Sequence, residues 1–141
     1  DIYRSEFRPS ERFPKPIVNV CMWALTANTN DEAKYLFSSR AAWKIGRNYG
    51  QLGSITDPDN ALSIINDNGW TEQYQNMYQN SFVGDANITK DKISKLVEEN
   101  NIDEIAILTW CHNENHRIKS YEIFASAFEL SEKREPEKSV I

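Results

Sequence analysis

The stretch Leu108–Phe124, LTWCHNENHRIKSYEIF, gathers both histidines of the chain, one of its two cysteines and one of its four tryptophans. Three chemistries are open to such a set. The first is a zinc site built from Cys111, His112, Glu114 and His116. Two histidines four residues apart share a face only if one helix carries both. Asn113 or Asn115 reads as a helix cap, so the helix starts between them and separates their directions. HNENH also lacks the Glu that directly follows the first His in the H-E-x-x-H metalloprotease pattern. No metal site is expected, and His116 reads as a surface residue in the first turn of a helix. The second chemistry is nucleophilic: Cys111 would need a lowered pKa and an oriented base. His112 is adjacent in the chain, which gives nearness without orientation. The third is a ring contact. Trp110 directly follows the apolar run Ile102–Thr109, where an indole either lines a ligand or plugs a core.

Several elements must position these residues. Ile17–Ala27, IVNVCMWALTA, is almost continuously apolar, the pattern of a strand covered on both faces as in a parallel sheet. Trp23, Thr26 and Asn28 lie at its end, where Thr26 and Asn28 are candidates to bond a ligand or simply to turn the chain and cap a helix. Thr29-x-x-Glu32 is a capping box, and Ala33, Leu36, Phe37 and Ala41 follow at helical spacing. This helix is expected to end near Gly46. Residues 46–60 are rich in Gly, Asn and Asp and read as a surface loop, with a helical turn at Ala61–Ile65, so that 46–69 forms one long insertion. Such an insertion either covers a site as a mobile lid or is a plain loop. Trp70–Asn80 is a predicted helix and Ser81–Gly84 a short strand. Gly84 permits close approach of a ligand or of another segment. Thr89–Asn100 is a predicted helix, Ile102–Thr109 a second fully apolar strand, and Ile118–Phe128 a helix with a wide apolar stripe. Residues 1–16, broken by Pro9, Pro14 and Pro16, read as a linker. Residues 131–141 read as a charged, fraying tail.

Strands alternating with helices place the chain in the α/β class, with parallel pairing. Its 141 residues suit one domain. With 40% hydrophobic residues, 26% charged and a net charge of −5, the composition is that of an ordinary water-soluble protein, and two cysteines far apart make a reducing cytoplasm the expected compartment. The acidic balance argues against nucleic acid or an anionic membrane as main partner. No apolar run reaches the ~20 residues of a membrane helix. Two distant cysteines do not make a disulfide framework. No G-x-G-x-x-G follows the first strand, which favours a barrel segment over an open dinucleotide-binding sheet.

The segments YRSEFRPSERFPKPIVNV, ALTANTNDEAKYLFSS, SFVG with its following helix, DEIAILTW and RIKSYEIFASAF together resemble the C-terminal part of luciferase-like flavin-dependent monooxygenases, from Tyr3 to about Leu130. The resemblance implies a (β/α)8 TIM barrel of more than twice this length, usually dimeric. Many members use reduced FMN and molecular oxygen on an organic substrate; others use another flavin or a deazaflavin. It implies that Ile17–Ala27, Ser81–Gly84 and Ile102–Thr109 are strands six, seven and eight. It also makes Trp110, Thr26 and Gly84 the candidate cofactor contacts, with no catalytic residue assigned. Asp85, where relatives carry Thr or Ser and then Pro, is a poor neighbour for a phosphate. By this reading the chain is part of an oxidoreductase, inactive alone, whose partner is the N-terminal half of the same barrel and whose substrate is a small molecule. The competing reading is a non-catalytic flavin-binding or interaction protein with a degenerate barrel. A third is a truncated chain that binds no cofactor and pairs with itself.

Overall fold

The computed structural model describes residues 2–130. The expectation for the tail 131–141 lies outside them. The elements are α1 (Ile2–Glu6), β1 (Asn19–Thr26), α2 (Asn30–Asn48), α3 (Pro58–Asp67), α4 (Thr71–Gln79), β2 (Phe82–Gly84), α5 (Ala86–Asn100), β3 (Glu104–Leu108) and α6 (Glu114–Ala127). The α/β class and the parallel pairing are as expected. Within 1–16, the linker contains the short helix α1, whose Arg4 guanidinium donates to the Asn100 carbonyl at 3.1 Å and also to that of Asn101.

Local chemistry explains the helix ends. Thr29 caps α2, its hydroxyl accepting from the Glu32 N–H at 3.1 Å. The Glu32 carboxylate reaches back one residue further than a standard box, accepting from the Asn28 N–H at 3.1 Å and its side-chain amide at 3.0 Å. α2 runs two residues past Gly46, to Asn48. The expected long insertion over 46–69 is corrected by α3. Asp57 accepts from the Asn60 N–H at 3.0 Å, and Pro58 occupies the first turn, where its missing donor costs nothing. The apolar Ala61 and Ile65, four apart, anchor α3 against the core. Asn101, in the left-handed conformation, ends α5.

The sheet has three parallel strands in the order β2-β1-β3. β3 pairs with the first part of β1, from Asn19↔Glu104 to Trp23↔Leu108. β2 pairs only with its end, Ala24↔Phe82 to Thr26↔Gly84. This corrects the assignment to barrel strands six, seven and eight. Successive staves of a barrel neighbour one another in chain order, whereas here β1 stands between the other two. Helices lie on both faces. Leu25 and Val83 pack with Phe37, Ile45, Ile65 and Tyr74 of α2, α3 and α4. Met22 and Ala24, one residue out of phase, pack with Ile93 of α5 and Phe124 of α6. The period of two in a strand assigns these sets to opposite faces.

The two strands expected to be doubly covered are not. Along β3, Glu104, Ala106 and Leu108 are exposed, while Ile105 and Ile107 turn toward the α5/α6 core. On β1, Asn19 and Cys21 are exposed beside them. One half-face of the sheet, at the start of β1 and along the whole of β3, therefore has no covering layer among the described residues.

Candidate functional site

The C-terminal end of the sheet brings together Trp23 of β1, Arg40 and Trp43 of α2, and Trp110 beyond β3. The Arg40 guanidinium lies over the Trp23 ring, 4.0 Å from its centroid, and 5.9 Å from that of Trp110. Trp43 meets Trp110 edge to face at 5.7 Å, and Arg47 lies 4.8 Å from the Trp43 ring. Trp23 in turn packs on the core ring of Phe37 at 5.7 Å. Aromatic faces attract a cation held over them, which makes this a coupled arginine–tryptophan cluster. Burial pulls the Arg40 guanidinium below its ordinary value, yet arginine keeps its charge throughout the accessible pH range. Arg40 was not a candidate from the sequence. The available signal was its position three residues from both Phe37 and Trp43, which puts a charge on an otherwise aromatic helix face.

The three expected cofactor contacts do not meet. Trp110 stands at the rim, 40% exposed. Thr26 is buried on the α6 side of the sheet: its N–H donates to the Ser120 hydroxyl at 3.0 Å, and its own hydroxyl has no partner among the described residues. Gly84 is filled by the chain itself. A side chain added there would meet Ile88 at 2.8 Å and the Asn30 amide oxygen at 3.0 Å. That oxygen accepts from the Asp85 N–H at 2.8 Å. Asp85 caps α5 by accepting from the Ile88 N–H at 3.0 Å, so the helix start is already satisfied by a carboxylate. Beside it, Asn28, Asp85 and Asn87 help to line a hollow of about 320 Å³.

The histidine-rich stretch divides as its capping residue dictates. Asn113 caps α6, leaving His112 before the helix and His116 in its first turn. Among the described residues no three His, Cys, Asp or Glu side chains converge as metal ligands. Burial pushes the Cys111 thiol up to about 11, against a smaller opposing pull from Arg117. A thiol so raised is protonated near neutrality and is a poor nucleophile. Both cysteines are free thiols. Thr109, expected only as a strand end, ties three elements together: its hydroxyl donates to the Ala24 carbonyl at 2.8 Å, and its N–H donates to the Tyr121 hydroxyl at 2.9 Å.

A FMN site is not complete in these residues. Trp110 offers a ring wall, but Thr26 is buried, Gly84 is occupied, and the start of α5 carries an acid where a phosphate would need donors. No described helix is long and apolar enough to cross a membrane.

No family model matches the chain. The luciferase-like monooxygenase of Escherichia coli strain K12 is 29% identical over 126 residues, which cover 86% of this chain and 36% of that protein. The uncharacterized protein YvbT of Bacillus subtilis is 24% identical over 132 residues, covering 91% of this chain and 38% of that protein. Among solved structures, apo-MsnO8 superposes with a TM-score of 0.78 at 22% identity, over 92% of this chain and 40% of that one. The chain thus spans little more than a third of the length of the curated relatives it matches. Over nearly all of the chain, the resemblance first drawn from its motifs holds: the chain is similar to proteins named luciferase-like monooxygenase.

Proposed function

We propose that this chain is a segment of a flavin-dependent oxidoreductase of the luciferase-like monooxygenase kind, acting with reduced FMN and molecular oxygen on a small organic substrate. One observation carries this reading: the 29% identity to a luciferase-like monooxygenase across 86% of the chain. In this proposal β1 and β3 are adjacent staves of a (β/α)8 barrel, and β2 is a three-residue addition beside the end of β1. The bare half-face of Cys21, Ala106 and Leu108 and the free edge of β3 support it, since a barrel leaves neither uncovered. The missing staves would come from an N-terminal stretch of the same polypeptide, in a protein that forms homodimers.

Flavin supplies the redox chemistry in such a protein when bound. Residues outside this chain would hold most of it. This chain's own part is to wall the strand-end mouth with Trp110 and Trp43, and to keep water from that side. The test is direct. The purified full chain, and a longer polypeptide that contains it, are each mixed with FMN and a reductant under air. We expect flavin-dependent oxygen uptake in the longer polypeptide and none in the 141-residue chain. Flavin binding without oxygen uptake in both would favour a non-catalytic flavin-binding protein. Absence of any flavin binding to the longer polypeptide would sink the reading.

A further inference from the structure

Two donors in the arginine–tryptophan corner have no acceptor. Trp23 Nε1 and Arg40 Nε are both buried and have no hydrogen-bond partner among the described residues. Arg40 forms no ion pair either: the ion pairs among the described residues belong to Lys95, Arg117 and Lys119. The Trp23 and Trp110 rings offset part of the cost of holding this charge, but a π-face accepts nothing along the in-plane Nε–H bond. Native structures rarely leave buried donors unpaired, and a specific exception points to a missing partner. Both groups are donors only. The partner is therefore an acceptor, and beside a fixed positive charge a negatively charged one is held most strongly.

The donor set also selects among anions. A phosphate dianion calls for several converging donors. At Trp23 this corner supplies one guanidinium and one indole N–H; the cluster's second guanidinium, Arg47, lies over the Trp43 ring instead. The start of α2 lies ten residues from Arg40, about 15 Å along the helix, too far to help. A carboxylate has two oxygens, which match a guanidinium fork. The tryptophan rings around it suit an apolar or aromatic body. We infer that the Trp23–Arg40 corner, flanked by Trp110, is a binding site for an organic carboxylate. The inference does not depend on the oxidoreductase reading, because binding is detected without turnover.

The experiment follows the indole N–H resonance of Trp23 in the purified full chain, assigned by its loss in Trp23→Phe, while benzoate is added. A saturable shift is expected, together with a change in tryptophan emission at the same midpoint. Inorganic phosphate, added in parallel, should give no saturable shift. Arg40→Met should abolish the benzoate response with its circular dichroism unchanged, and Arg40→Lys should weaken it about tenfold by losing the fork. If Arg40→Met fails to fold, the wild-type titrations and Arg40→Lys still decide the matter. An unmoved resonance, an equal response to phosphate, or a benzoate response that survives in folded Arg40→Met would each overturn the inference.

Discussion

At the scale of single residues, side-chain type was a weaker guide than what each side chain packs against. Cys111 sits in the most reactive-looking stretch of the sequence, yet burial raises its thiol to about 11. In the unfolded chain it would titrate near its ordinary value of 9.0. The folded state therefore holds this proton more tightly. The stability that follows is fully present below pH 9 and is lost as pH rises from about 9 toward 11. Alkylation should report the same ordering. At neutral pH the exposed Cys21 should react with iodoacetamide well before Cys111, and Cys111 should become reactive only in strong alkali or denaturant. Equal rates at pH 7, read by peptide mass, would contradict this. Gly84 gives a second case. It was legible as a place of close approach, but not whose approach it is. The neighbours are Ile88 and Asn30 of this chain, so Gly84→Ala should push both aside and cost about 1–3 kcal/mol in a denaturant melt, by overpacking and by disturbing the bond from the Asp85 N–H to Asn30.

At the scale of elements, the caps and the periods were readable and the pairing partners were not. Thr29, Asn113 and the apolar spacing of α2 fix where helices start because those signals are local. Thr29→Ala should cost about 0.5–2 kcal/mol, since the Glu32 N–H loses its acceptor while the Glu32 carboxylate still serves Asn28. A melt indistinguishable from wild type would show that the second half of the box suffices. α3 reads from the sequence only as a helical turn at Ala61–Ile65, because Gly, Asn and Asp dominate the loop before it. Asp57 and Pro58 are as apt to begin a helix as to make a turn, and only Ala61 and Ile65 meeting the core decides between the two. Strand order depends on contacts distant in the chain. β1 and β3 are separated by some eighty residues, and nothing in either run states which will be the neighbour. The site divides in the same way. Trp110 was visible because it follows a strand, whereas Arg40 joins it only through the packing of α2 across Trp23.

At the scale of the molecule, the unusual feature is a sheet that is finished over β2 and the end of β1 and open along β3. Near the strand ends, Leu25 and Val83 are fully buried by α2, α3 and α4. At the start of β1 and along the whole of β3, Cys21, Ala106 and Leu108 face outward, Leu108 at 44% exposure. On the other face, an apolar groove of about 420 Å³ follows the unpaired side of β3, lined by Ile105, Ile107, Val97 and Phe128 among others. An exposed parallel edge with apolar flanks pairs readily with whatever strand is offered. If further strands of a longer polypeptide normally cover it, the 141 residues produced by themselves should bind a hydrophobic dye strongly. They should also sediment as species whose size grows with concentration. Leu108→Glu places a charge on the bare half-face without touching either core, so it should reduce both dye binding and association while leaving the helical circular dichroism unchanged. In a longer polypeptide that supplies the covering strands, the same substitution would bury an unpaired carboxylate, and there it should destabilise. The opposite signs are the discriminating result: a residue that improves the short chain and harms the long one is an internal residue of the larger fold. A short chain that stays monomeric at all concentrations and leaves the dye dark would mean that this sheet needs no further strands.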